Sequence, residues 1–117
     1  MTIEKIGEGI ARVRSKEPVL TDAGSMLDLM ATVRYETLCN KIAIDKSAVA
    51  ENFFILSTGV AGEILQKCVN YRLKLAIIGN FSAYTSKPLK DFIYESNKGR
   101  DFFFVSTEEE AIQRLSP

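Results

Sequence analysis

The chain has 117 residues, of which 46% are hydrophobic and 26% charged, proportions that fit one globular domain and exclude a disordered, collagenous or coiled-coil chain. Fifteen Lys and Arg balance fifteen Asp and Glu, so no global field draws the protein to nucleic acid or to an anionic membrane. Histidine is absent, which removes His-based acid–base catalysis and the common zinc and iron ligand sets.

The first ten residues hold Glu4, Lys5 and Glu8 and no apolar segment, so a secretory leader is not expected. No apolar run approaches the ~20 residues of a membrane helix. Cys39 and Cys68 lie far apart in apolar contexts and read as reduced core thiols. The expectation is a soluble, cytoplasmic protein.

Thr2-Ile3-Glu4-Lys5-Ile6 and Ile10-Ala11-Arg12-Val13-Arg14 alternate in part around Gly7-Glu8-Gly9, the pattern of a hairpin. Thr21 or Asp22 then caps a helix that turns Met26, Leu27, Met30 and Val33 to one side. Lys41–Asp45 reads as a short strand, and Ser47–Asn52 as a helical turn leading into Phe53-Phe54-Ile55-Leu56. Thr58–Arg72 reads as a helix with Val60, Ile64, Leu65, Cys68 and Val69 as its apolar stripe. Leu73–Ile78 is a strand buried on both faces. Ser86 caps a helix with Pro88 in its first turn, Leu89, Phe92 and Ile93 inward, and Gly99 as a left-handed stop. Asp101–Val105 is the last strand. Thr107 caps the last helix, where Glu110 completes a capping box and Ala111, Ile112 and Leu115 dock.

The order β-β-α-β-α-β-α-β-α implies a single α/β domain over residues 1–117, with a mixed, mainly parallel sheet of about five strands under covering helices. In such sheets ligands meet the loops at the carboxyl ends of strands, where a helix start offers free N–H groups. Ser57, Thr58, Gly59 and Gly62 stand at such a start. They suit an anion or a phosphorylated hydroxyl, and equally an N-cap with glycines for close packing. Neither a Walker A loop nor Gly-x-Gly-x-x-Gly is present.

Glu63, Gln66, Lys67 and Asn70 share one face of this helix, either as a solvated stripe with a Glu63–Lys67 pair or as a contact surface ending at Asn70-Tyr71-Arg72. Asn80 follows the most buried strand and opens beside Ser57–Gly59 if the two strands are neighbours. Asn97 and Gly99 suit C-cap chemistry, and Arg100 offers a counter-charge to a bound anion. Seven basic residues between Lys67 and Arg100 outnumber Asp91 and Glu95, a pattern open to an acidic partner but met more often as scattered surface lysines. No carboxylate pair forms a dyad. A nucleophilic Ser57 or Thr58 would need Lys67 or a carboxylate to activate it.

The runs Thr58-Gly59-Val60-Ala61-Gly62-Glu63-Ile64-Leu65-Gln66-Lys67, Asn70-Tyr71-Arg72 and Phe92-Ile93-Tyr94-Glu95-Ser96-Asn97-Lys98-Gly99-Arg100 resemble a bacterial family of small domains of unknown function, across nearly the whole chain. The element order more distantly resembles the STAS fold of sulfate-transporter and anti-sigma-factor-antagonist domains. That resemblance implies that Thr58 matches the phosphorylated serine of an Asp-Ser-Ser-Gly-like motif, with Ser57 its neighbour. Leu56 stands where that family carries Asp, and the Ser47–Phe54 segment is longer.

The combined expectation is a non-enzymatic regulatory or protein-interaction domain. It would act through the 57–62 loop and the 58–72 helix on a protein partner, with binding of a small anion at the same helix start as the alternative. No catalytic residue, metal or cofactor is assigned, and neither membrane nor nucleic acid is an expected partner. The aromatic strand Phe102-Phe103-Phe104 leaves a homodimer open, although a core strand explains it equally well.

Overall fold

Alternation in the first fourteen residues produces a hairpin of β1 (Thr2–Gly7) and β2 (Ile10–Arg14), antiparallel, with a register irregularity between Lys5 and Gly7. The computed structural model describes residues 1–116. Three crossovers follow: α1 (Ala23–Thr37) into β3 (Lys41–Asp45), α2 (Val60–Asn70) into β4 (Lys74–Ile78), and α3 (Lys87–Lys98) into β5 (Phe102–Val105), before α4 (Glu108–Leu115). The five strands lie in the order β1-β2-β3-β4-β5, and every pair after the hairpin is parallel. The expected α/β class, element order and mainly parallel sheet are what the chain adopts.

The strand period of two sends side chains to two separate cores. On one face, α1, α2 and α3 cover Ala11, Val13, Ile42, Ile44, Leu75, Ile77, Phe102 and Phe104. On the other, α4 alone covers Ile10, Ala43, Ala76, Ile78, Phe103 and Val105 through Ala111, Ile112 and Leu115.

Several local expectations need correction. Asp22 caps α1, accepting from Ser25 N–H at 2.7 Å. Leu29, two residues on from Leu27, takes a fully inward place, and Leu27 stays half-buried. In α2, which begins at Val60 rather than Thr58, the buried stripe is Ala61, Ile64 and Cys68, and Val69 is exposed. Gly99 is extended at φ −83°, not left-handed. At α4, Thr107 Oγ1 accepts from Glu110 N–H at 3.1 Å, but the Glu110 carboxylate reaches back to Ser106 N–H at 3.0 Å, one residue before the cap.

Between β3 and α2, the segment from Lys46 to Thr58 forms three 3₁₀ turns, Lys46–Ala48, Glu51–Phe54 and Leu56–Thr58. It is laced to the lead-in of α1, where the Val19 and Leu20 N–H groups donate to Ala48 C=O at 2.8 and 3.0 Å and Ala50 N–H donates to Leu20 C=O at 2.9 Å. Phe53 enters the larger core and packs against Phe102, ring centres 6.0 Å apart.

Candidate functional site

Residues 57–62 join β3 to α2 and lie on the surface, with only Val60 and Ala61 drawn inward. Gly59 is the N-cap residue and is left-handed at φ 80°, a conformation glycine adopts without a Cβ penalty. Neither Ser57 nor Thr58 is therefore the capping residue. Thr58 Oγ1 lies 2.8 Å from both Asn52 C=O and Ile55 C=O, which share its one hydroxyl proton, and accepts from Val60 N–H at 3.3 Å. That hydroxyl ties down the turn. Ser57 is exposed, and among the described residues no hydrogen bond holds its side chain.

Along α2, the Gln66 amide donates to Asn70 Oδ1 at 2.9 Å. Glu63 and Lys67 form no ion pair within 4.0 Å among the described residues, so the expected pair is replaced by an amide–amide contact. Glu63, Gln66 and Asn70 are exposed and Lys67 is half-buried. Arg72 closes the helix in the left-handed region at φ 55°. Around it, Leu73 N–H donates to Cys68 C=O at 2.8 Å and Arg72 N–H to Val69 C=O at 3.3 Å, the hydrogen-bond pair of a Schellman motif with arginine where glycine is usual.

β3 and β4 are neighbours, but the loop after β4 meets the Glu51–Phe54 turn. Tyr84 stacks on Phe54, ring centres 4.8 Å apart, and its hydroxyl donates to Glu51 at 3.0 Å. Lys46 Nζ lies 5.4 Å from the Phe54 ring centre and 4.9 Å from that of Tyr84. A Cβ on Gly79 would fall 2.7 Å from the Cβ of Lys46, so this lysine stem requires glycine at the end of β4. Asn80 is exposed, and its side chain accepts from Ser82 N–H at 2.9 Å.

Asn97 does not cap α3. Its amide donates to Phe104 C=O at 3.2 Å and accepts from Phe104 N–H at 2.8 Å, clasping the outer edge of β5. Arg114 donates to Asn97 C=O and lies over the Phe103 ring at 4.7 Å. Arg100 lines a groove between α2 and α3, with Leu65 and Phe92. The twelve expected positions are thus spread over the α2 start, the α2 surface, the loop after β4 and the end of α3.

Two groupings were not evident from sequence. Arg12 on β2 donates to Asp45 and to Glu108, both at 2.9 Å, and Arg14 lies 3.7 Å from Glu108. The hydrogen bond to Asp45 pushes the Arg12 guanidinium above its ordinary value, against the opposing effect of burial. The signal was available: period two places Arg12 on the same face as buried Ile10. The second grouping surrounds a groove of about 240 Å³ between α1 and the end of α2, lined by Leu27, Met30, Ala31, Arg34, Tyr71 and Leu73. Tyr35, Leu38 and Tyr71 stand 89%, 87% and 56% exposed, and Leu38 is left-handed at φ 62°. Tyr35 lies one turn beyond the groove residue Ala31 on α1, and Leu38 is the residue that ends the helix.

Cys68 is buried, and desolvation pushes its thiol up to about 12, far from the thiolate a nucleophile needs. No group of three or more metal-ligating side chains occurs among the described residues, and no helix there is long and apolar enough to cross a membrane.

The family described as a domain of unknown function (DUF4180) matches residues 5–115, and the chain belongs to it. No curated protein and no solved structure matches the chain.

Proposed function

We propose that this member of a family of unknown function is a non-catalytic interaction module that receives a protein partner where α1 and α2 end. The observation that carries the reading is the exposure of Tyr35, Leu38 and Tyr71 about the groove holding Arg34. Tyrosine and arginine are the side chains that anchor protein interfaces, and apolar surface of this kind gains most from being covered. Two non-glycine residues in the left-handed region, Leu38 and Arg72, flank the same end. Each holds a conformation that costs roughly 1 kcal/mol, which supports selection on the side chain rather than on the turn. The inert Cys68 thiol and the engaged Thr58 hydroxyl favour binding over covalent chemistry.

Ser57 and the α2 start lie at the opposite end of that helix and are accessible, so a regulatory phosphate there would alter the helix without touching the groove.

A photo-crosslinking amino acid at position 71 or 38, introduced into the full chain in its native cells, tests the reading. A discrete adduct at both positions, absent with the same group at Lys16, is expected, and its mass separates another protein from a second copy. Equal labelling at position 16, or no adduct at 71 and 38, overturns it.

A further inference from the structure

The loop after β4 and the outer side of α3 flank an open hollow of about 430 Å³, lined by Phe81, Ser82, Tyr84, Lys90, Ile93, Tyr94 and Asn97. Its size falls within the range of small-ligand sites. It lies outside the carboxyl end of β4, where open α/β sheets take their ligands. No element of the α1–α2 groove contributes to it.

Its walls are held by the fold itself. Phe81 meets Phe104 edge to face, ring centres 5.2 Å apart and planes at 87°. Tyr84 is fixed by Phe54 on one side and by its hydrogen bond to Glu51. The Asn80 side chain pins Ser82 N–H. Tyr94 completes the aromatic wall and is 63% exposed, with Lys98 Nζ 4.2 Å from its ring centre.

The charge is equally specific. Of the lysines on α3, Lys87 pairs with Asp91 at 2.7 Å and Lys98 lies 3.8 Å from Glu95. Lys90, the one that lines the hollow, has no acidic partner within 4.0 Å among the described residues. Lys90 is the one cation among the residues lining the hollow, with Lys46 Nζ 4.9 Å from the Tyr84 ring centre and Lys98 Nζ 4.2 Å from that of Tyr94, and a flat ligand carrying a negative charge matches this setting.

We infer that this hollow is a binding site for an aromatic monocarboxylate, with its ring against Phe81, Tyr84 and Tyr94 and its carboxylate on the Lys90 ammonium. Packing of aromatic surface supplies the affinity, and the charge-assisted hydrogen bond selects the anion.

Titration of the isotopically labelled full chain with indole-3-acetate, followed by amide NMR, tests the site, with neutral indole-3-acetamide and non-aromatic cyclohexylacetate as comparison ligands. Saturable shifts concentrated at residues 81–84 and 90–94 are expected with indole-3-acetate, and weaker binding of both comparison ligands. Lys90→Gln, an exposed substitution, should weaken the carboxylate about fivefold or more and leave the acetamide unchanged. Tyr94→Ala should weaken both, and Tyr71→Ala neither. Absent or dispersed shifts, equal binding of cyclohexylacetate, or a carboxylate affinity indifferent to Lys90→Gln would overturn the assignment. None of these outcomes bears on crosslinking at positions 71 and 38.

Discussion

The two faces of the sheet are stabilised by different means. Beneath α1, α2 and α3 the core is deep and aromatic, with Phe53 within 6.3 Å of the ring centres of Phe54, Phe102 and Phe104. Beneath α4 the central strands present Ala43 and Ala76, small enough for an eight-residue helix to sit close. At the rim of that second face stands the Arg12–Asp45–Glu108 network instead of more apolar surface. A face with three helices can rely on buried area, whereas one short helix buries little and is also held by charge at its first turn.

Truncation should expose this difference most strongly. Phe53→Ala is expected to cost about 3–5 kcal/mol and Leu115→Ala about 2–3 kcal/mol, measured by urea unfolding. Hydrogen exchange in Leu115→Ala should rise first in α4 while β3 and β4 stay protected. Equal and global loss in both variants would make the two faces one cooperative unit.

Alkaline titration sharpens the contrast from the other core. The Cys68 thiol stands raised to about 12 from an ordinary 9.0, so above the lower value the unfolded chain loses a proton that the folded chain keeps. Stability should fall with rising pH between these values, by up to about 1.4 kcal/mol per pH unit. Subtracting the curve of Cys68→Val isolates that contribution, and identical slopes for the two proteins would place the thiol in contact with water.

Arg12→Met addresses the charged rim. It should cost about 1–2 kcal/mol at low salt and less at high salt, because Asp45 and Glu108 lose their counter-charge but remain partly hydrated. A loss independent of salt would assign Arg12 a packing role. The smallest effect has the opposite sign: Leu38→Gly should stabilise by about 1 kcal/mol through relief of the left-handed residue. It should also abolish crosslinking at that end if the leucine side chain contacts the partner.

The strands were legible because each alternates or runs apolar over four to six residues, and the starts of α1, α3 and α4 because Asp22, Ser86 and Thr107 are capping residues in a sequence context that leaves few other roles. The turns from Lys46 to Thr58 carry no period to read, and their shape is imposed by Phe53 and Phe54 entering the core beside Leu20. Val69 looked inward because valine is apolar, whereas the helix packs its small Ala61 where space is short. Gly99 offered a left-handed stop that the chain does not take, since it passes straight into β5. Asn97 has the composition of a cap, and only the passage of α3 along β5 reveals that its partner is seven residues away. The α1–α2 groove joins positions from Leu27 to Leu73, too far apart in sequence for any motif to mark it.

The clasp of Asn97 on Phe104 has a consequence for assembly. Of the sheet's two margins, β1 and β5, the β5 side has the main-chain N–H and C=O of Phe104 occupied from within the molecule. Head-to-tail stacking into fibres needs a donor margin and an acceptor margin on every copy. Engagement of one margin from within the molecule therefore works against such open-ended addition at Phe104.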